Sequence, residues 1–314
     1  MIINTINLWE DRDDVQLTTF MHLQDPFLGK GKKRPAVIVC AGGAYQSCSR
    51  HGNEGDPVAM TFAADGYHAF VLEYSVAERA PEGKTLFPAQ IIDLGKAFLT
   101  LYEHAEEWSI DTDKITIVGF SAGGHLCSMY ATTWNNGLLS DIFGVDSQIF
   151  KPMAALVIYG IHDYVLQEDA NSQVPDGPFG AWNSPVFGCE KPDKEILIKN
   201  SPVYHVSQDT PPMFLAAAAN DGLVPAMHTL KMAEKLQEMH VPYECHMFQY
   251  GDHGFSLGRN VFEPYREDLK HACAEWVPLA KVFLMHLLSE DSLKPEADPF
   301  EGLSFEEFSK QIKD

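Results

Sequence analysis

Ser121 stands in Gly119-Phe120-Ser121-Ala122-Gly123, a GxSxG pattern with an apolar β-branched run, Ile115 to Val118, before it and a helical pattern from Ala122 to about Thr133 after it. Strand, turn and helix are the setting in which such a serine becomes a nucleophile. The glycines permit a sharp turn that presents the hydroxyl at the end of the strand, and the N-terminus of the following helix adds positive potential at the same spot. The chemistry this suits is attack on a carbonyl carbon. A Gly-rich turn with no catalytic role also fits GxSxG, so the reading depends on whether a base and an oxyanion site accompany the serine.

A nucleophilic serine needs a base, and the base needs a carboxylate to orient it. The run Pro212 to Ala219 reads as a buried strand ending in Asn220-Asp221-Gly222, which puts Asp221 at the strand's carboxyl end. The next strand, Tyr243 to Gln249, leads into Gly251-Asp252-His253-Gly254-Phe255, a glycine-flanked loop able to present an imidazole. His253 is the candidate base and Asp221 the candidate orienting acid. Asp163 and Asp252 are the rival carboxylates, but Asp252 adjoins His253 and is badly placed to reach its neighbour's ring. The ordinary alternatives are a solvated loop histidine and a turn or helix-capping aspartate.

A third component follows another apolar strand, Pro35 to Cys40, as the small-residue loop Ala41-Gly42-Gly43-Ala44-Tyr45. The backbone amides of Gly43 and Ala44, with that of Ala122, are the candidate oxyanion hole; loss of one such donor typically costs about 10²- to 10³-fold in rate. A tight strand-to-helix turn is the competing explanation for the loop. Tyr45 beside it is a candidate substrate contact. Cys40 and Cys48 flank the loop, so their modification is expected to inhibit. His125, one helical turn after Ser121, is expected to pack beneath the turn rather than to act on substrate.

The elements that must hold these residues alternate along the chain. Strands are predicted near Val15 to Leu23, 35 to 40, 67 to 74, 114 to 119, 153 to 159, 212 to 219 and 243 to 249. Helices are predicted near 54 to 65, 89 to 107, 122 to 133, 226 to 240 and 264 to 288. The pattern implies an α/β fold with a mostly parallel sheet, and all 314 residues read as a single domain. From Gly160 to Thr210 the alternation lapses into a stretch carrying Tyr164, Phe179, Trp182, Phe187 and Tyr204 among prolines and glycines. It is expected to form a small cap over the serine, with Trp182 as a second candidate substrate contact. After Ser289 the acidic tail spaces Phe300, Leu303, Phe305 and Phe308 as a short docked helix would.

A formal net charge of -21 disfavours nucleic acid and anionic membrane as partners. The basic cluster from Lys30 to Arg34 reads as a solvated loop. No apolar run approaches the ~18 residues of a spanning helix, and Met1 to Thr5 lack a basic segment followed by a long apolar core, so the expectation is a cytoplasmic protein. Six cysteines without CxxC spacing read as reduced and mostly structural. The thirteen histidines include no HExxH or comparable ligand set, so neither a metal nor another cofactor is expected. Oligomeric state is left open.

Taken together, Ala41 to Tyr45, Asn53 to Ala59, Tyr67 to Val76, Phe87 to Gln90, Gly119 to Leu126, Asn220 to Pro225 and His253 to Phe255 resemble the bacterial acetyl-xylan and feruloyl-type esterase branch of the α/β-hydrolases, related to hormone-sensitive-lipase-like carboxylesterases. The resemblance runs from about Pro35 to Leu257. It implies the chain order Ser121, Asp221, His253 for nucleophile, acid and base, and a loop of the HGGG type at Gly43 and Ala44. Two positions depart from that loop, Ala41 for its histidine and Ala44 for its last glycine. The implied substrate is a small-molecule ester, a short acyl group on a carbohydrate. A serine peptidase of the same fold and a catalytically silent binding protein are the alternatives.

Overall fold

The computed structural model describes residues 1–23, 32–172, 179–258 and 272–289, with the side chains of 179–182 excepted. Eight strands form one sheet: β1 (Ile2–Trp9), β2 (Arg12–Met21), β3 (Arg34–Cys40), β4 (His68–Glu73), β5 (Ile110–Phe120), β6 (Ala154–Ile158), β7 (Met213–Ala218) and β8 (Tyr243–Phe248). Their spatial order is β1-β2-β4-β3-β5-β6-β7-β8. β1 and β2 form an antiparallel hairpin that joins β4 antiparallel, and every pairing from β4 to β8 is parallel. The expected α/β architecture with a mostly parallel sheet is what the chain adopts.

Helices cover both faces. They are α1 (Asp56–Ala63), α2 (Ala89–Glu103), α3 (Ala105–Trp108), α4 (Ser121–Thr133), α5 (Leu138–Phe143), α6 (Tyr164–Asn171), α7 (Phe179–Phe187), α8 (Lys194–Lys199), α9 (Met227–Glu238) and α10 (Trp276–Leu288). On one face Leu94 and Phe98 of α2, Leu126 and Tyr130 of α4, and Met232 and Leu236 of α9 pack against the sheet. On the other, Val58 and Phe62 of α1 and Trp276 and Phe283 of α10 belong to a second buried cluster, in which Trp276 packs on Phe120 and Phe283 on Phe214. Because both faces are covered, β4, β6 and β7 are buried at every position, which is why β6, β7 and the Ala69 to Leu72 centre of β4 are continuous apolar runs rather than alternating ones. Each large apolar side chain buried this way contributes about 1.5–3 kcal/mol.

Several elements differ from the sequence-based expectation, among them α6, α7 and α8 in the stretch from Gly160 to Thr210 where no helix was predicted. β1 was not anticipated: it is an edge strand whose first four residues are exposed, so burial imposes little alternation on it. β5 begins at Ile110 rather than 114, and α5 is an additional short helix. Of the last predicted helix, Trp276–Leu288 is helical, while 259–271 lie outside the described residues. Residues 24–31, which include Lys30 of the basic cluster, and the acidic tail from 290 also lie outside them. No helix among the described residues is long and apolar enough to cross a membrane.

The parallel strands share one carboxyl edge, and the loops after β3, β5, β7 and β8 carry Ala41 to Tyr45, Ser121, Asp221 and His253 respectively. Ligand sites of open α/β sheets form at that edge.

Candidate active site

Ser121 is the first residue of α4 and has φ 51, the left-handed region that a β-substituted residue adopts only when its surroundings enforce it. The glycines around it act by lacking a side chain rather than by a positive φ. A Cβ on Gly119 would lie 2.1 Å from the Gly123 carbonyl oxygen, and one on Gly123 would lie 2.1 Å from that of Cys40. Close approach of α4 to the ends of β3 and β5 therefore requires glycine at both positions. Strain collects here: of the non-glycine residues with positive φ, Ala44, Tyr45, Ser121, Tyr159, Asp252 and Ser256 all belong to this edge of the sheet.

The Ser121 hydroxyl and Nε2 of His253 are 2.8 Å apart, and Nδ1 of His253 lies 2.8 Å from Oδ2 of Asp221. A carboxylate can only accept, so Nδ1 carries the proton and Nε2 is left with a lone pair facing the serine. The other Asp221 oxygen accepts from the amides of Leu223 and Val224, each at 2.9 Å, which fixes the carboxylate in the turn after β7. Its side chain is fully buried, while that of His253 keeps 17% exposure toward the cleft. The structure thus brings Ser121, Asp221 and His253 into one hydrogen-bonded chain.

The Ala41 to Tyr45 loop lies directly against the nucleophile. A Cβ on Gly42 would come within 2.9 Å of the Ser121 Cβ. Gly43 has φ 131, and a Cβ on it would strike the Ser47 carbonyl at 2.1 Å; its own carbonyl accepts from the amides of Gln46 and Ser47. This turn brings Ala44 to a cavity of about 60 Å³ that it lines with Ser121, Ala122, Tyr45, Tyr164, Val186, Phe187 and Val224, among others. Gly43 is not part of that lining. The insertion borders the serine, since Ile161, Tyr164, Gln167, Asn171, Asn183, Val186 and Phe187 all contribute to the cavity wall. The side chain of Trp182, on α7, lies outside the described residues.

Tyr45 lines the cavity with only 1% exposure, and its hydroxyl is committed: it donates to Nδ1 of His125 at 2.6 Å. Nε2 of His125 then carries the proton and donates to the Asn200 carbonyl at 2.8 Å. Burial pushes His125 down to about 4, so it stays neutral as a link between the Ala41 to Tyr45 loop and the insertion. The cysteines beside the loop are poor targets for modification. Cys40 and Cys48 are buried, and burial pushes the Cys48 thiol up to about 12. Among the described residues no group of three His, Cys, Asp or Glu side chains is arranged to hold a metal.

Three supporting residues escaped the sequence reading. Oδ1 of Asn220 accepts from the amides of Gly251 and Asp252 at 3.0 and 3.1 Å, pinning the histidine loop, and its Nδ2 donates to Asp252 at 2.7 Å. Tyr159, immediately after β6, packs its ring edge-on to His253 with centroids 5.0 Å apart. Its hydroxyl donates to Oε1 of Glu54 at 2.6 Å, while Oε2 of Glu54 accepts from the Gly42 amide at 2.7 Å. Asn220 adjoins the candidate acid and so carried a positional hint. Nothing local marks Glu54 or Tyr159, because their partners lie 12 and 105 residues away respectively.

The family model described as BD-FAE matches residues 23–236. The chain belongs to the BD-FAE family. Two relatives fit that membership. Endo-1,4-beta-xylanase B of Butyrivibrio fibrisolvens is 26% identical over 82% of this chain and 38% of its own length. Acetylxylan esterase of Xylanibacter ruminicola is 24% identical over 80% of this chain and 47% of its own length. The chain spans about half the length, or less, of these curated relatives. The crystal structure of MGS-M1, an alpha/beta hydrolase enzyme from a Medee basin deep-sea metagenome library, superposes with a TM-score of 0.68 at 29% identity, covering 92% of this chain and 98% of that one. The fold of this BD-FAE member is accordingly that of the α/β hydrolases.

Proposed function

We propose that this chain is a serine esterase that hydrolyses short acyl esters, acetyl foremost, of carbohydrates or similar polar alcohols through an acyl-enzyme. The observation that carries the reading is the 2.8 Å and 2.8 Å relay from Ser121 through His253 to Asp221, opening on a cavity bordered by Ala44 and Ala122. In the first half-reaction Oγ of Ser121 attacks the ester carbonyl while its proton passes to Nε2 of His253, and Asp221 stabilises the imidazolium that results. The amides of Ala44 and Ala122, which line the cavity, receive the alkoxide, with Gly43 shaping the turn that presents Ala44, and the N-terminus of the 13-residue helix α4 adds its dipole. Collapse expels the alcohol, which takes the proton from Nε2. Water, deprotonated by the same imidazole, then releases the acid and restores the serine.

The cavity beside Ser121 is walled largely by apolar side chains, Tyr164, Val186, Phe187 and Val224 among them, which suits the acyl part of an ester better than its sugar. The likeness to the acetylxylan esterase of Xylanibacter ruminicola supports an acetylated sugar as the substrate class. Tyr45 serves this substrate as wall rather than as hydrogen-bond donor, and Trp182 remains the candidate for stacking on a sugar ring.

A serine-directed phosphonate tests the mechanism. It should add one label per chain, and Ser121→Ala should abolish both the label and the hydrolysis of an aryl acetate. Labelling or turnover that survives in Ser121→Ala overturns the proposal.

A further inference from the structure

The amide of Gly42 is the one beside the nucleophile that already has an acceptor, and that acceptor is a side chain brought in from another loop. Oε2 of Glu54 accepts from the Gly42 amide at 2.7 Å, just before the backbone swings through Gly43 to present Ala44 at the cavity. Glu54 is held on its own side by a tight loop. A Cβ on Gly55 would lie 2.2 Å from the Arg50 carbonyl, and the Asp56 amide donates to that same carbonyl at 2.6 Å.

The second carboxylate oxygen faces the histidine side of the site. Oε1 accepts from the Tyr159 hydroxyl at 2.6 Å, and the Tyr159 oxygen in turn accepts from the Ser256 amide at 3.0 Å. Ser256, three residues after His253, closes the circuit by donating its hydroxyl to the Asn53 carbonyl at 2.6 Å. Tyr159 is buried against the His253 ring, and burial pushes its phenol well above the ordinary range, so it remains a donor. Two donors from different loops converge on one side chain. Only a carboxylate offers an acceptor at each end; a carboxamide accepts with one oxygen and presents its NH2 to the other donor.

We propose that Glu54 is a positioning residue that holds the Gly42 to Ala44 segment in register with His253, so that the oxyanion amides and the base are set by one shared carboxylate. This rests on the esterase reading above. The negative charge itself opposes an alkoxide forming nearby, so Glu54 aids the reaction only through the geometry it enforces. That sign separates positioning from a direct electrostatic role, because a residue acting mainly by its charge would make the Glu54→Gln enzyme faster.

The test compares the parent with Glu54→Gln, Glu54→Ala, Tyr159→Phe and Ser121→Ala on 4-nitrophenyl acetate, with active sites titrated by phosphonate so that misfolded protein is not counted. Affinity for a trifluoromethyl ketone, which adds to the serine as a hemiketal alkoxide, is measured alongside. Expected are a fall in kcat of about 10-fold in Glu54→Gln and about 10²-fold in Glu54→Ala, by analogy with loss of an oxyanion donor, with KM changing less than about 3-fold. The ketone should weaken by the same factor as kcat/KM. Tyr159→Phe should fall in the same direction, and the Glu54→Gln/Tyr159→Phe double variant should lose less than the product of the singles because the two share one interaction. Parental or faster turnover per titrated site in Glu54→Gln, a loss confined to KM, or unchanged ketone affinity would each overturn the inference while Ser121→Ala is inactive. Turnover that persists in Ser121→Ala removes the esterase reading and this inference with it.

Discussion

Asp163 is locked to Lys231, whose Nζ donates to Oδ2 at 2.6 Å, while the other Asp163 oxygen caps α6 by accepting from the amides of Val165 and Leu166. Both ends of this carboxylate are engaged away from His253, whose Nδ1 meets Asp221 instead. The remaining rival, Asp252, is bound to Asn220 at 2.7 Å.

Asp221→Asn should therefore lower kcat by about 10⁴-fold, since an amide at that position favours the wrong imidazole tautomer. Asp163→Asn should keep kcat within a few-fold and lower stability by up to about 1 kcal/mol through the lost ion pair with the partly exposed Lys231, since asparagine still caps α6. Steady-state kinetics and urea denaturation of the two purified variants decide between them. A far larger activity loss in Asp163→Asn would assign the acid wrongly.

Activity should fall toward acid pH, because a protonated His253 cannot accept the serine proton. His125 is not the origin of that limb: burial already holds it at about 4, and both its nitrogens are bonded. The acid limb of kcat/KM should keep its position in His125→Gln. A limb that moves with that substitution would place the titrating group at His125.

Stability should also fall as pH drops through the range below 6.5. His125 and His228 are fully buried and held at about 4, against about 6.5 for an unfolded imidazole. Between those values the unfolded chain binds more protons, so stability present above about 6.5 is lost by about 1.4 kcal/mol per histidine for each unit down to about 4. Urea unfolding at pH 7.5 and 5.5, with enough salt to screen the net charge of -21, should show a loss of about 3 kcal/mol from this pair. Equal stability at the two pH values would contradict neutral burial.

The cavity wall should limit acyl length. Phe187 lines the cavity and stacks edge-on to Tyr164 at 5.0 Å, so Phe187→Ala opens the end of the pocket without touching the relay. The parent should prefer acetyl to butyryl esters, and the variant should shift kcat/KM toward butyryl by roughly 10-fold, as about 0.8 kcal/mol per newly accommodated methylene implies. A parent that favours long chains, or a variant with unaltered chain preference, would rule out this pocket as the acyl site.

The residues that carry chemistry were legible wherever local pattern was enough. GxSxG between a strand and a helix marked Ser121, the apolar runs of β3, β5 and β7 placed the loops of Gly43, Ser121 and Asp221 at strand ends because strands covered on both faces are apolar, and the rough alternation of the half-buried β8 placed that of His253. What the tertiary structure decided is which groups meet. Ser121 and His253 are 132 residues apart and Asp221 and His253 are 32 apart, and their hydrogen bonds depend on the order β5-β6-β7-β8, which sets their loops side by side. The same packing buried Tyr45 with its hydroxyl spent on His125, turned Asp163 to Lys231, and drew Glu54, Tyr159 and Asn220 into supporting the site. A side chain's type says which bonds it can make. Which it does make is set by what the folded chain places within about 3 Å of it, since a buried polar group left without a partner is costly and each must find one across the sheet edge.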